Sequence, residues 1–286
     1  MYLNKILKDL GFNNECSKEV IATYKKLTPS EINSILKLYK DENIDFRKLI
    51  TTWQKLLKKR HIEYYIGDLM FCLLLCEKLE ALYKKHHLPH KLFIETMTDL
   101  RYKAVECKLV KKKWGLFVTP WYRTFFRLKL FSLGRLQFEI YTFMMDYHDK
   151  HVTLKKGQPC LNVHIPRNGE RLDIKEVKKS IARAKKFFKP YFKDYILFSC
   201  DSWFMHKKAI EFAGKDSNIY RFAQLFNIIA NIEIPHQEEE MWRLFDADTT
   251  DLTKLKADTS LRKKYLSYLK KGGKAGFGVG YFIYRF

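Results

Sequence analysis

Two groups of residues in this 286-residue chain have the types and spacing for chemistry. Glu139 and His164 occupy polar positions of two alternating stretches, residues 136–140 and 161–165. If those stretches pair as neighbouring strands, carboxylate and imidazole meet on one face, a candidate general base and its neighbour. The plainer reading is that Glu139 offsets Arg135 or Arg127 and that His164 is a satisfied sheet histidine. The second group follows at once: Pro166, then Arg167, Asn168, Gly169 and Arg171, then a helix opened by Asp173. Guanidinium groups and a glycine ahead of a helix amino terminus are the materials of a diphosphate site, because free N–H groups and the positive dipole end face one point. A solvated turn is the plain alternative. Asp201 and Ser202 follow a third apolar stretch, at the strand end where ligands of open α/β sheets sit, although as helix caps they need no further purpose.

These side chains need a sheet to hold them. Residues 126–130 and 136–140 alternate on either side of Ser132-Leu133-Gly134, which predicts a β-hairpin. After a polar connector, 148–157, Leu161, Val163 and Ile165 predict a strand with one buried face. Pro166 ends it, and Asn168-Gly169 turns the chain. Asp173 with Glu176 reads as a capping box for a helix whose Val177, Ile181, Ala184 and Phe188 share one side, lysines covering the rest. Residues 195–200 read as an interior strand, with a helix ending at Gly214 and another capped by Ser217 after it. Residues 227–234 form a further strand, 238–245 and 260–271 helices, and the closing GFGVGYFIYRF a last strand. Residues 1 to about 115 read as helical throughout, with helices at 19–26, 30–41, 45–58, 65–85 and 91–109. The change from helical to strand period at Lys111-Lys112-Lys113-Trp114-Gly115 places a domain boundary, giving 1–115 and 116–286. The class is α+β.

Composition bounds the function. With 47% hydrophobic residues the chain has material for one large or two small cores, and the longest apolar run, 69–76, is far shorter than a membrane span. Without a secretory pattern at the start, and with six scattered cysteines, a cytoplasmic location is expected. Cys72 and Cys76 share a helix face and read as core; His86, His87 and His90 lie at a helix end and read as capping, so no metal site is expected. The net charge of +22 attracts polyanions: nucleic acid, an anionic membrane surface or a highly phosphorylated small molecule. Between residues 100 and 135 stand ten basic residues and one acid, Glu106, interleaved with Trp114, Phe117, Trp121, Tyr122, Phe125 and Phe126. Cations among aromatics are what a nucleic-acid-binding protein without catalysis would use, though those aromatics also follow core alternation.

The order hairpin, strand, helix, strand, helices, strand, strand is similar to the GNAT superfamily. More narrowly, LGRLQFEI (133–140), LNVHIPRNGERLD (161–173), CDSW (200–203) and DSNI (216–219) resemble the blocks of bacterial acyltransferase domain-containing proteins, over nearly the whole chain. Those proteins join a helical amino-terminal domain to a GNAT-like mixed sheet flanked by helices. The resemblance implies acetyl-CoA or another acyl-CoA as co-substrate and an unidentified amine as acceptor. With such a reaction in view, Ile165, Arg167, Asn168, Gly169, Arg171 and Ser202 are the candidates at the coenzyme, and Glu139 and His164 those for the chemistry; the resemblance adds Tyr220, by superfamily habit, as proton donor to the leaving thiolate. One departure stands out. The phosphate signature of those enzymes (Arg or Gln, two residues, Gly, one residue, Gly or Ala) is not met: Gly169 comes two positions after Arg167, and Arg171 and Leu172 stand where small residues are expected. A GNAT-like scaffold that has lost coenzyme binding is therefore the second outcome on the same fold.

Overall fold

The structure is a computed structural model that describes residues 2–234 and 238–286. The chain divides into two compact units, Met1–Ser132 and Leu133–Phe286.

The first unit holds helices α1 (Tyr2–Asp9), α2 (Asn14–Tyr24), α3 (Pro29–Leu36), α4 (Phe46–Lys59), α5 (Tyr64–Lys85), α6 (His90–Met97), α7 (Asp99–Lys111) and α8 (Arg123–Phe126), then strand β1 (Leu130–Ser132). Its axis is α5. Residues 69–76 are buried on every side because α1, α2, α4, α6 and α7 all pack on this helix, so an apolar run too short for a bilayer is the centre of a bundle. Cys72 and Cys76 lie within it, and His86 is its C-cap. No helix among the described residues is long and apolar enough to cross a membrane.

Three local expectations change. The single helix at 91–109 is two, because the Thr98 hydroxyl takes the Ile94 carbonyl (2.7 Å) and the chain restarts at Asp99. The helix at 30–41 ends at Leu36. The first arm of the hairpin, 126–130, is not a strand: α8 closes with Leu128 at φ 52° and with Lys129 N donating to Thr124 O, so the alternation there was a helical turn and its left-handed cap. Three aromatics that the basic-aromatic stretch offered are core: Tyr122, Phe125 and Phe126 are fully buried and Phe126 stacks on Phe46 at 5.4 Å. They are not on hand to stack bases.

The second unit holds β2 (Gln137–Thr142), β3 (Tyr147–His148), β4 (Thr153–Leu154), β5 (Pro159–His164), α9 (Ile174–Phe188), β6 (Tyr195–Ser202), α10 (Lys207–Ala213), α11 (Asn218–Ala223), β7 (Asn227–Glu233), α12 (Glu238–Phe245), α13 (Ser260–Lys270) and β8 (Gly276–Arg285). Within it the sheet order is β2-β5-β6-β8-β7, with β5 and β6 parallel and the other neighbours antiparallel. This is the α+β mixed sheet expected, a β-strand hairpin β3-β4 replacing the supposed polar connector.

Strand alternation sorts the two faces. Phe138, Phe198 and Phe282 face α9, where Phe138 meets Phe188 and Phe198 stacks on Phe282 at 4.4 Å. The other face carries Cys160, Leu197 and Tyr281 under Phe143 and Leu154. The alternate glycines of β8 belong to the first face: a Cβ on Gly278 would stand 2.1 Å from the Met205 carbonyl oxygen, so only glycine lets the turn after β6 lie on the strand.

Of the carboxylates that the first unit buries, Asp68 is held at a cost. Asp68 Oδ2 accepts from Gln54 Nε2 (3.1 Å) and Thr119 Oγ1 (2.8 Å), while Oδ1 is buried without a partner among the described residues. Burial pushes its pKa up to about 6, against the hydrogen bonds from Thr119 and Gln54. The raised value makes Asp68 stabilising when protonated: that contribution is full below the unfolded value of 3.8 and is lost as pH rises through about 6. In urea unfolding the wild type is expected to gain about 1.4 kcal/mol from this group at pH 5 relative to pH 7.5. Asp68→Asn should abolish that difference, and an unchanged pH slope in the variant would reject the assignment.

Candidate active site

The site begins where two strands part. The β6-β8 ladder runs from Tyr195 to Ser202, but β5 and β6 share two pairs only, Leu161 with Phe198 and Asn162 with Ser199. Beyond Asn162 and Ser199 the ladder has no further pairs, so Val163-His164-Ile165 and Cys200-Asp201-Ser202 are neighbouring but unpaired carboxyl ends, and the seam between them is the candidate slot.

The loop that follows β5 is tied down on the opposite side. Arg135, 8% exposed, donates from Nη1 to Pro166 O (3.1 Å), from Nη2 to Glu170 O (3.3 Å) and from Nε to Arg171 O (3.1 Å). Because Arg135 precedes β2, and β2 flanks β5 on the side away from β6, this clamp ties the loop after β5 to the β2 side. The clamp is itself anchored on α9. Ser180 Oγ donates to Leu133 O (2.7 Å) and accepts from Leu136 N (3.1 Å). Gly134 sits between them at φ 94°, where a Cβ would come 2.9 Å from Ser180 Oγ.

Glu139 and His164 meet as expected. β2 and β5 pair with Glu139 opposite Asn162 and Gln137 opposite His164, and His164 Nε2 lies 2.9 Å from Glu139 Oε2. The Glu139 side chain is 6% exposed and that of His164 21%, so the imidazole is the member of the pair that an incoming molecule can touch. With Glu139 as acceptor, Nε2 is the donor and Nδ1 carries the ring lone pair. On the same face Asn162 Nδ2 donates to Asp201 Oδ1 (2.9 Å) across the opening slot, Ser199 Oγ reaches Asn162 Oδ1 (3.4 Å), and Cys160 Sγ lies 3.4 Å from Ser199 Oγ. Burial pushes the Cys160 thiol up to about 11, more than its hydrogen bond to Ser199 lowers it, so it stays protonated and is no nucleophile.

The loop residues are placed less simply. Ile165 is half-buried just past β5, and Gly169 turns the chain at φ 83° with open space around its Cα. Asn168 closes on Glu170, its Oδ1 accepting from Glu170 N (3.0 Å) and its Nδ2 donating to Glu170 Oε2 (2.9 Å). Arg167 donates to Asp246, which also accepts from Arg262 Nη2 (2.6 Å). Burial alone would raise the Asp246 carboxyl, but the two guanidinium hydrogen bonds outweigh it and hold it below the usual range. Arg171 is exposed, with no ion pair or side-chain hydrogen bond among the described residues. Ser202 Oγ accepts from Phe204 N (3.3 Å) and caps a short 3-10 turn, not a long helix.

One expectation is corrected here, that of a capping box with helix donors left free. The capping box at α9 is half formed: Asp173 N donates to Arg171 O and Glu176 turns outward to Lys179 (2.7 Å). More consequentially, Asp173 Oδ1 itself accepts from Lys175 N (2.7 Å) and Glu176 N (3.3 Å), so those first-turn donors are taken before any phosphate arrives. Tyr220 lies on α11, which packs with α9 on the face opposite the Glu139–His164 pair, and the structure does not bring it to that pair. A cleft of about 510 Å³, lined in part by Tyr147, Asp149, Gln224, Asn227 and Tyr281, contains none of the expected residues.

Sequence reasoning missed Asn162 and the clamping role of Arg135. Strand parity could have found Asn162, which shares a face with His164. Nothing in the residue string marks Arg135 as buried, since its partners are carbonyls.

Residues 130–282 match the family model described as GNAT-like C-terminal domain, and residues 1–128 that described as N-acyltransferase N-terminal domain. An acyltransferase solved in complex with decanoyl-CoA and teicoplanin is similar in fold, with TM-score 0.74 at 18% identity over 97% of this chain and 86% of that one. An acyltransferase mutant in complex with octanoyl-CoA is similar at TM-score 0.73, again with 18% identity, 97% and 86% coverage. No curated protein matches the chain.

The clamp makes a direct prediction. Arg135→Leu strips three carbonyls of a charged donor and should cost roughly 3 kcal/mol of stability. Amide exchange across residues 166–172 should rise with it. Exchange confined to its wild-type rate in that loop would show that Arg135 does not restrain it.

Proposed function

We propose an acyl-coenzyme A-dependent N-acyltransferase, because the chain belongs to the family of GNAT-like C-terminal domains and carries a basic dyad at a parted pair of parallel strands. The observation that carries the reading is the ladder that stops at Asn162 and Ser199 with His164, backed by Glu139, at its mouth. A slot between strands offers backbone N–H and C=O groups to an extended amide-containing arm, and the thioester at the end of such an arm would lie beside the imidazole. The acceptor is an amine of unidentified structure. The similar structures hold octanoyl-CoA and decanoyl-CoA, and one holds teicoplanin as well, which supports acyl chains longer than acetyl alongside acetyl-CoA itself.

The residues divide the chemistry among them. His164 takes a proton from the attacking amine, and Glu139 orients the ring and stabilises the imidazolium. The amine nitrogen forms the C–N bond as the C–S bond breaks; no acyl-enzyme is needed, in keeping with a protonated, buried Cys160. Tyr220, on the helix-covered face, is the hydroxyl that a thiolate leaving toward that side would meet. At the phosphates we assign Arg171, Gly169, Asn168 and Arg167, Arg167 exchanging Asp246 for phosphate, with Ile165 and Ser202 lining the slot. Since Asp173 occupies the α9 donors, guanidinium groups rather than helix N–H groups carry the charge recognition, consistent with the missing small-residue signature. Six free cysteines, all buried, support a reducing compartment and so the cytoplasm.

Thermal shift separates the classes. Octanoyl-CoA and acetyl-CoA should raise the melting temperature, whereas a short oligonucleotide should have an effect only at low salt. Arg171→Glu is expected to weaken coenzyme binding about tenfold with the fold intact. His164→Gln should lower amine-dependent thiol release at least about 100-fold while leaving the coenzyme dissociation constant alone. A His164→Gln enzyme as fast as the wild type would remove the imidazole from the mechanism.

A further inference from the structure

Asp201 is the one acid at the mouth of the slot whose position local structure does not explain. As a residue after a strand it reads as a helix cap, but Ser202 fills that role, and the Asp201 carboxylate turns instead to Asn162 (2.9 Å) across the opening. Strand parity puts it opposite His164. Asn162 and Ser199 are the last pair, and His164 and Asp201 each lie two residues further on their strands, on the same sheet face. One oxygen is pinned by a carboxamide that Ser199 in turn holds (3.4 Å), so the carboxylate has a fixed direction although its side chain is exposed. No cation pairs with it among the described residues, in a chain of net charge +22. A carboxylate left without a cation in such a field, facing a base across a slot, fits a positively charged ligand group.

We propose that Asp201 is the anchor for the acceptor, which enters as a primary ammonium, and that this charge selects amines over hydroxyl acceptors. The inference rests on the acyl-transfer reading and adds the binding site of the second substrate. Asp201 holds the ammonium by a charge-assisted hydrogen bond while His164 opposite removes one proton. The freed lone pair forms the C–N bond and the C–S bond breaks; the second proton leaves the nitrogen, and one of the two ends on the departing sulfur, so that one proton is released per turnover. A hydroxyl acceptor offers the carboxylate no charge and gains nothing from it.

The test uses the full chain with octanoyl-CoA and two probe amines: benzylamine, an ammonium at pH 7.5, and trifluoroethylamine, largely uncharged there. Asp201→Asn is expected to lower kcat/KM for benzylamine about tenfold or more, through KM, and to leave trifluoroethylamine nearly unchanged. Asp201→Glu, which keeps the charge, should restore part of the loss. Equal losses for both amines would overturn the proposal, since a carboxylate that merely holds Asn162 in place would not sense acceptor charge. Saturation-transfer NMR with benzylammonium supplies a second readout on free protein and on the octanoyl-CoA complex: binding to the wild type and loss in Asp201→Asn support the anchor, and binding that survives the substitution, or is absent from the wild type, rejects it. Failure of octanoyl-CoA to raise the melting temperature would instead remove the transferase reading, with the NMR arm still judging Asp201.

Discussion

A buried guanidinium fixes the loop beside the site. Arg135 gives its donors to the carbonyls of Pro166, Glu170 and Arg171, and so ties the loop after β5 to the segment that precedes β2. A buried charge with poor partners is expensive, so a loop that supplies three carbonyl oxygens in reach of one fork has little freedom to move elsewhere. Ser180 and Gly134 carry the constraint back to α9. The course of the loop beside the seam is therefore set by packing on α9 and by one buried guanidinium, not by a residue of the seam itself.

Alternation then decides which groups face that opening. Residues 139, 162, 164, 199 and 201 fall on one face of β2, β5 and β6, and the aromatic residues between them fall on the other, against α9. A one-residue slip of β5 would exchange His164 for Val163 and Asn162 for Leu161, destroying the polar row and exposing the core together. The same register that buries Phe138 and Phe198 thus sets the dyad and the carboxylate on either side of the slot.

Charge divides into two roles. The strong positive field draws phosphorylated molecules in general. The basic-aromatic stretch at 100–135, which taken by itself fits nucleic acid, commits four of its rings, Trp114, Tyr122, Phe125 and Phe126, to the core of the first unit: Tyr122 donates to Asp99 (2.9 Å) and Phe126 lies under Tyr39. Three anions of the second unit each organise a different part of it. Asp246 gathers Arg167 and Arg262, Glu139 orients His164, and Asp173 caps α9.

Much of this was legible in the residue string. Strand period, turn residues and caps are local properties, and they placed β5, β6, β7, α9, α12, α13 and β8 within a few residues; parity on β5 and β2 brought Glu139 to His164. Where local signals misled, a competing local bond was at work, as in the turn at 123–129 and the break at Thr98. The parting of β5 from β6, the burial of Arg135, the occupation of the α9 donors by Asp173 and the turning of Asp201 toward Asn162 were decided by tertiary structure alone. Each depends on which carbonyl or amide from a distant segment arrives within hydrogen-bond reach, and no period or composition encodes that distance.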